Sequence, residues 1–148
     1  MRLSLIIATY NWPESLELVL KSIENQTKIP DEVVIADDGS VFETQELITD
    51  FQKDSELNII HSWQEDIGFR AAKSRNKAIL KSIGEYIILI DGDMILHPKF
   101  IQDHIEIAER GFFVQGSRVL LSENLTKKTL SENIYNFSFF SFGIKNRK

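Results

Sequence analysis

Short, uninterrupted apolar runs alternate along the chain with segments in which apolar residues recur every three or four positions. The runs are rich in β-branched residues and too short for typical helices, so they predict buried strands. They occupy residues 3–8, 32–36, 57–63, 86–90 and 112–121. The helical repeats occupy residues 13–26, 42–51, 70–83 and 98–110. This order predicts an α/β fold with a mostly parallel central sheet flanked by helices and joined by right-handed crossovers.

The run at residues 86–90 organises this pattern, because it reads as a strand buried on both faces and ends abruptly in two acids. Polar residues also follow two other predicted strands. The three clusters are Thr9-Tyr10-Asn11, Asp37-Asp38 and Asp91-Gly92-Asp93. Parallel strands bring their carboxyl ends to one edge of a sheet, and ligands bind outside that edge in open α/β folds. The sequence therefore predicts one composite site.

The side chains at this edge have a consistent chemistry. Carboxylates such as Asp91 and Asp93 are hard oxygen ligands suited to Mg²⁺ or Mn²⁺, which often share one or two protein carboxylates with substrate phosphates. Gly92 lets the backbone approach a ligand closely. A flat aromatic with hydrogen-bonding neighbours suits a nucleobase, and the metal would act as a Lewis acid on a diphosphate. The alternative is an ordinary Asp-Gly surface turn.

Composition narrows the class of protein. The chain has 148 residues, enough for one domain with a real core. Its formal net charge of −5 argues against a nucleic-acid partner, which usually requires a basic surface. The absence of cysteine excludes disulfides and thiolate metal sites within the chain. The first apolar run is too short for a signal peptide or a membrane span, so we expect a cytoplasmic protein, with peripheral contact at the inner membrane face left open.

Residues 122–148 do not continue the alternation. They contain an aromatic cluster with no evident element to pack against, followed by a basic end at residues 145–148. The cluster consists of Phe137, Phe139, Phe140 and Phe142. Exposed apolar patches of this kind mark a missing partner surface, a membrane contact or an aggregation liability. We therefore divide the chain into a ligand-binding domain at residues 1–121 and an aromatic, basic tail at residues 122–148.

Four segments, in this order and spacing, resemble the nucleotide-binding half of family 2 glycosyltransferases with the GT-A fold, a Rossmann-like nucleotide-diphospho-sugar transferase fold. They are Ile-Ile-Ala-Thr-Tyr-Asn at 6–11, Val-Val-Ile-Ala-Asp-Asp-Gly-Ser at 33–40, Gly-Phe-Arg-Ala-Ala-Lys-Ser-Arg-Asn at 68–76, and Ile-Leu-Ile-Asp-Gly-Asp at 88–93. The third segment, and the fourth followed by His97-Pro98, look most like bacterial enzymes of the chondroitin-polymerase and galactosyltransferase-like types.

The resemblance implies a role for each matching residue. Thr9, Tyr10 and Asn11 would line the nucleotide-sugar pocket. Asp38 would hydrogen-bond the base, with Asp37 nearby, and Arg75 would approach the donor. Asp91 would contact the ribose or the donor sugar beside Gly92, and Asp93, together with Asp91, would bind Mn²⁺ or Mg²⁺ and the diphosphate.

The activity that the resemblance implies is inverting, metal-dependent transfer of a sugar from a UDP-sugar to a glycan or lipid-linked acceptor, in surface polysaccharide synthesis. Similar enzymes carry their general base in an acidic pair beyond the last predicted strand, and this chain has none there. Glu123 and Glu132 are isolated candidates, so the sequence identifies no catalytic residue, and residues 122–148 read as the start of a truncated acceptor-binding part.

Other functions compete with this interpretation. The same pocket could serve a donor-binding fragment or module without turnover. A phospho-accepting receiver domain is also α/β and of similar size, but its acidic pair would follow the first strand, and only Lys127 or Lys128 approximates its lysine. A phosphatase with an Asp-x-Asp nucleophile would leave the upstream polar clusters without a role. Tyr10 could also be a packing aromatic, and Arg75 a surface ion-pair partner.

Overall fold

The protein is represented by a computed structural model that describes residues 1–138 and 141–146. Strands and helices alternate along most of the chain. In order they are β1 (Leu3–Thr9), α1 (Pro13–Glu24), β2 (Glu32–Asp37), α2 (Phe42–Asp54), β3 (Ile59–Trp63), α3 (Ala71–Lys81), β4 (Tyr86–Asp91), α4 (Phe100–Ile107), β5 (Leu120–Leu121), α5 (Glu123–Glu132) and β6 (Ile144–Lys145).

Four parallel strands form the central sheet in the order β3-β2-β1-β4. Thr9 lies beside Asp37, Asp37 lies beside Trp63, and Ala8 lies beside Asp91. The carboxyl ends of all four strands therefore meet at one edge. This arrangement confirms the predicted α/β fold with a mostly parallel, helix-flanked sheet.

Alternating side chains of β1 divide the core into two layers, because successive strand residues point to opposite faces. Leu5 and Ile7 are fully buried in a large cluster that also contains residues of α1, α2 and α4. Ile6 lies on the opposite face, in a smaller cluster with Ala78 of α3. Helices thus cover both faces of the sheet, as continuous apolar strands require.

The expectation that β4 is buried on both faces is wrong. Ile88 and Ile90 are buried in the large cluster, but Ile87 is 36% exposed and Leu89 is 51% exposed. The reason is topological, because β4 is an edge strand of the sheet and α3 packs over β1, β2 and β3. An apolar run does not reveal which of its faces a helix covers.

The predicted strand at residues 112–121 is also wrong for most of its length. Only Leu120–Leu121 is a strand, and it pairs antiparallel with Ile144–Lys145 in a separate two-stranded sheet. Residues 112–119 are exposed and lack regular structure. Strand propensity reflects packing against neighbouring strands, and within the described residues this segment has none.

The tail forms more structure than its composition predicts. Ser122 caps α5, accepting a hydrogen bond from Leu125 N, and α5 packs against α1. Lys21 Nζ donates to Asn133 Oδ1 at 3.1 Å, and Asn25 Nδ2 donates to Asn136 Oδ1 at 2.9 Å. Helix α5 and the residues that follow it thus pack against α1, and of the stretch at 136–143, which was expected to have no element to pack against, Asn136 makes such a contact.

The predicted aromatic cluster is described only in part. Phe137 is half-buried and Phe142 is 99% exposed, whereas Phe139 and Phe140 lie outside the described residues. Across residues 1–138 and 141–146, the structure contains no helix with the length and apolar character needed to cross a membrane.

Candidate functional site

The end of β1 is tied directly to the loop after β2. Asn11 adopts a left-handed backbone with φ of 48°, a conformation that asparagine tolerates better than most residues. Its backbone N–H donates to Ser40 Oγ at 3.0 Å, and its side-chain oxygen accepts from Val41 N at 2.8 Å. Asn11, predicted as a nucleotide-sugar contact, therefore holds two loops together in this structure and does not line the cleft.

Asp37 lies beneath the site. Its side chain is fully buried. Its Oδ1 accepts from Gly39 N at 3.1 Å and from Ser40 N at 2.7 Å, and its Oδ2 lies 2.8 Å from His61 Nε2 on β3. Burial raises the pKa of Asp37, but the hydrogen bonds from His61 and Ser40 outweigh burial and hold the pKa below its usual range. Asp37 thus shapes the turn that carries Asp38.

Asp38 reaches the cleft and is 5% exposed. Its Oδ1 accepts from Gln64 Nε2 at 2.6 Å, and its Oδ2 accepts from Arg70 N at 2.7 Å. A carboxylate oxygen has two lone pairs, so both oxygens keep capacity for a ligand. Asp38 therefore combines two anchoring contacts, to Gln64 and Arg70, with spare acceptor capacity.

At the end of β4, Asp91 pairs with Arg75 of α3, and Asp91 Oδ1 lies 2.5 Å from Arg75 Nη2. Both side chains are partly exposed and line the cleft. Gly92 N donates to Ala8 O at 2.7 Å, and a Cβ at Gly92 would lie 2.9 Å from that carbonyl oxygen. The backbone at position 92 approaches the backbone of β1 so closely that only glycine fits there without a clash.

Two adjoining depressions along this edge make up the cleft, and both contain Ala8, Thr9, Tyr10 and Asp91. The first is completed by Ala36, Asp38, Phe69, Ala71 and Arg75, and the second by Trp12, Gly92 and Asp93. The structure thus brings seven predicted residues together: Thr9, Tyr10, Asp38, Arg75, Asp91, Gly92 and Asp93.

Sequence reasoning did not assign Phe69 or Trp12 to the site. Phe69 is 94% exposed and Trp12 is 43% exposed, and both aromatic side chains border the cleft. Each directly neighbours a predicted feature, since Trp12 follows Asn11 and Phe69 lies in the segment at 68–76. An exposed aromatic beside a predicted ligand group was the available signal.

The acids at the end of β4 fit a shared metal better than an all-protein metal cage. The described ranges contain no group of three or more acidic, histidine or cysteine side chains that could hold an ion alone. Asp93 is exposed and, among the described residues, makes no side-chain hydrogen bond or ion pair. One free carboxylate with a second nearby suits a divalent ion whose other ligands are waters and substrate phosphates.

Comparisons with known proteins decide the family. The family model described as "Glycosyl transferase family 2" matches residues 4–148. The chain belongs to glycosyl transferase family 2. The chondroitin synthase of Escherichia coli is 35% identical over 106 residues, which make up 71% of this chain and 15% of that protein.

Two solved structures are similar to this family 2 domain. S. aureus TarS 1–349 in complex with UDP-GlcNAc is 25% identical, with a TM-score of 0.56, over 72% of this chain and 30% of that one. Mannosyltransferase PcManGT from Pyrobaculum calidifontis, in complex with GDP-Man and Mn²⁺, is 26% identical, with a TM-score of 0.53, over 62% of this chain and 27% of that one. The chain thus spans less than a third of each of these relatives.

Gly39 in this glycosyltransferase domain offers a test of how tightly the loops around Asp38 are packed. Its φ is 101°, and an added Cβ would lie 2.6 Å from Asp66 N and Cα. Gly39→Ala is therefore expected to lower the free energy of unfolding by about 1–3 kcal/mol, through backbone strain and overpacking. Urea denaturation measures this change. Gly116→Ala is the matched control, because a Cβ at Gly116 meets nothing within 4 Å, and equal stability of the two variants would contradict the packing described.

Proposed function

We propose that the chain is the donor-binding part of an enzyme that transfers a sugar from a UDP-sugar to a glycan or lipid-linked acceptor. The observation that carries this proposal is the convergence of Tyr10, Asp38, Asp91 and Asp93 in one cleft at the carboxyl edge of the sheet. The similarity to a structure in complex with UDP-GlcNAc and to chondroitin synthase supports a UDP-sugar donor and polysaccharide synthesis.

Each part of the donor has a chemically suitable position. The aromatic rings of Tyr10 and Phe69 border the part of the cleft where a nucleobase would lie. The acceptor oxygens of Asp38 suit the N3–H of uracil, and Asp91 with Arg75 suits the ribose or the donor sugar. Asn11 and Asp37, which do not line the cleft, would act by shaping its loops.

Asp93, with Asp91, would hold Mn²⁺ or Mg²⁺ together with the diphosphate. The bound ion would neutralise charge on the departing nucleoside diphosphate. The Mn²⁺ in the mannosyltransferase structure supports a divalent ion in this chain. The residues of this chain would bind and orient the donor, so that an acceptor hydroxyl attacks the anomeric carbon from the opposite side and inverts its configuration.

The two isolated candidates for the general base, Glu123 and Glu132, both lie on α5. Glu123 Oε1 lies 2.7 Å from Lys127 Nζ, and Glu132 Oε2 lies 3.8 Å from Lys128 Nζ, all on exposed parts of α5. Neither glutamate lines the cleft. This placement favours donor binding without turnover as the second candidate function for this chain alone.

The receiver-domain alternative is also weakened. Lys127 and Lys128 pair with glutamates on α5 and not with the acids of the cleft.

Residues 1–121 would form the donor-binding domain, and residues 122–148 the beginning of an acceptor-binding part. Contact of α5 with α1 means that these two parts share an interface. The exposed Phe142, with Phe137, would contribute to a surface for a partner or for the inner face of the cytoplasmic membrane. The enzyme would then act in the cytoplasm on a membrane-associated glycan.

The test is a calorimetric comparison of UDP, CDP, GDP and ADP with Mn²⁺ present. We expect UDP to bind at least about tenfold more tightly than CDP, because cytosine has no N3–H to donate to Asp38 and would place its N3 acceptor against the carboxylate. Equal affinities for UDP and CDP would contradict the role of Asp38. No binding of any nucleotide by the folded chain would contradict the donor site itself.

A further inference from the structure

The loop at residues 64–70, between β3 and α3, is fastened at both ends to one side chain. Gln64 Nε2 and Arg70 N donate to the two oxygens of Asp38. Arg70 Nη2 also donates to Glu65 O at 2.6 Å, which closes the loop on itself. The loop therefore has a defined position relative to the carboxyl edge of the sheet.

Asp66 connects the middle of this loop to the two preceding strand ends. Its Oδ1 accepts from Gly68 N at 3.1 Å, and its Oδ2 accepts from Tyr10 Oη at 2.9 Å. Its backbone packs against Gly39, where no side chain would fit. One residue outside the cleft lining thus touches segments from β1, β2 and the β3–α3 loop.

The contact with Tyr10 matters because half of the Tyr10 side chain is exposed, at 51%. A ring that is half exposed can change rotamer, because few neighbouring atoms hold it in place. The hydrogen bond from its hydroxyl group to Asp66 therefore contributes strongly to its orientation. The same carboxylate shapes the turn at Gly68 that precedes Phe69. Tyr10 and Phe69 are two aromatic side chains of the cleft's first depression.

We propose that Asp66 is a positioning residue that orients Tyr10 and Phe69 for stacking against the nucleobase. This inference rests on the proposed donor site. It assigns to Asp66 a role in affinity for the base, exerted through its hydrogen bonds to Tyr10 and to the Gly68 backbone, with no contact to the donor. A pre-oriented ring loses less conformational freedom when the nucleotide binds.

The first measurement is a double-mutant cycle on UDP affinity with Mn²⁺. Asp66→Ala and Tyr10→Phe are each expected to weaken UDP binding by about threefold to tenfold, the range for one hydrogen bond. The double variant is expected to bind no more weakly than Asp66→Ala alone, because both changes remove the same contact. Asp66→Asn keeps an acceptor oxygen and is expected to retain most of the affinity. Additive losses would overturn the proposal.

Glu65→Ala is the matched control, since Glu65 is exposed in the same loop and contributes only its backbone carbonyl to the described contacts. It is expected to leave UDP affinity unchanged. A loss equal to that of Asp66→Ala would show that any change in the loop lowers affinity, which would overturn a specific role for Asp66.

A second measurement needs no nucleotide. The hydrogen bond to Asp66 and the charge of Asp66 raise the pKa of Tyr10 above its ordinary value. Ultraviolet titration should show a lower Tyr10 pKa in Asp66→Ala, with Tyr10→Phe identifying the Tyr10 signal. An unchanged Tyr10 pKa would overturn the positioning role of Asp66 and leave the proposed donor site untouched. A changed pKa in a chain that binds no UDP would instead overturn the proposed function, and with it the role in base binding.

Discussion

Replacement of Asp37 by alanine is expected to lower the free energy of unfolding by about 3–5 kcal/mol, because it leaves several donors without an acceptor at about 1–3 kcal/mol each. The substitution would leave His61 without its partner and would orphan the N–H groups of Gly39 and Ser40. Urea denaturation followed by tryptophan fluorescence measures the change. Asp50→Ala is the control, because Asp50 is exposed on α2 and, within the part of the chain that the structure describes, pairs only with Lys53 at the surface. A loss below about 1 kcal/mol for Asp37→Ala would contradict this role.

The lowered pKa of Asp37 also sets how the stability of the fold changes with pH. The pKa of Asp37 is lower in the folded protein than its usual unfolded value of about 3.9, so the ionised group stabilises the fold above that value. This stabilisation is lost as pH falls from about 5 through the folded-state pKa. The native chain should therefore lose more stability between about pH 5 and pH 3 than Asp37→Asn does. Equal losses of stability in the native chain and in Asp37→Asn over this pH range would contradict a stabilising role for the ionised Asp37.

Asp93→Asn is expected to weaken Mn²⁺-dependent binding of UDP by about a hundredfold, which corresponds to about 3 kcal/mol. The side chain of Asp93 is exposed and makes no side-chain hydrogen bond or ion pair among the described residues, so the substitution should not disturb the fold. It removes one negative charge at the end of β4 and keeps the shape of the side chain. Calorimetric titration measures the loss.

Asp50→Asn is the matched control for this substitution, since α2 contributes no residue to the cleft. We expect it to bind UDP as the native chain does. An Asp93→Asn variant that stays folded and binds UDP normally in the presence of Mn²⁺ would place the metal elsewhere.

The sheet and most of its helices could be predicted from the sequence because hydrophobic periodicity reports local structure directly. The runs that became β1, β2 and β4 contain few polar residues, and each ends where the polar cluster begins. Parallel pairing then follows from the intervening helices, and it alone brings Thr9, Asp38 and Asp91 to one edge. The location of the cleft thus follows from the order of elements.

The roles of individual side chains could not be predicted in the same way. Asp37 and Asp38 are adjacent acids in the sequence, but only Asp38 faces the cleft, because Asp37 is directed toward His61 of β3. Asn11 looks like a ligand group, but its contacts are with the loop after β2. Such distinctions depend on register and backbone conformation, which the residue pattern does not contain.

The errors at residues 86–90 and 112–121 have a common cause. A β-branched or apolar run indicates that a segment suits a sheet, but not whether a neighbouring strand or a covering helix exists. Ile87 and Leu89 remain partly exposed because α3 packs over the other strands. Helix α5 was not predicted, because the hydrophobic pattern does not indicate polar contacts. Its packing against α1 includes such a contact, between Lys21 and Asn133.

We propose that the carboxyl edge of the sheet binds a nucleoside diphosphate through a divalent ion. The most direct test is titration of UDP into the native chain with Mn²⁺ and again with excess chelator. We expect saturable binding at one site with Mn²⁺ and a loss of affinity of about a hundredfold or more with excess chelator. Binding that is equally tight with chelator would contradict the metal site at Asp93, and no binding in either condition by a folded chain would contradict the donor site as a whole.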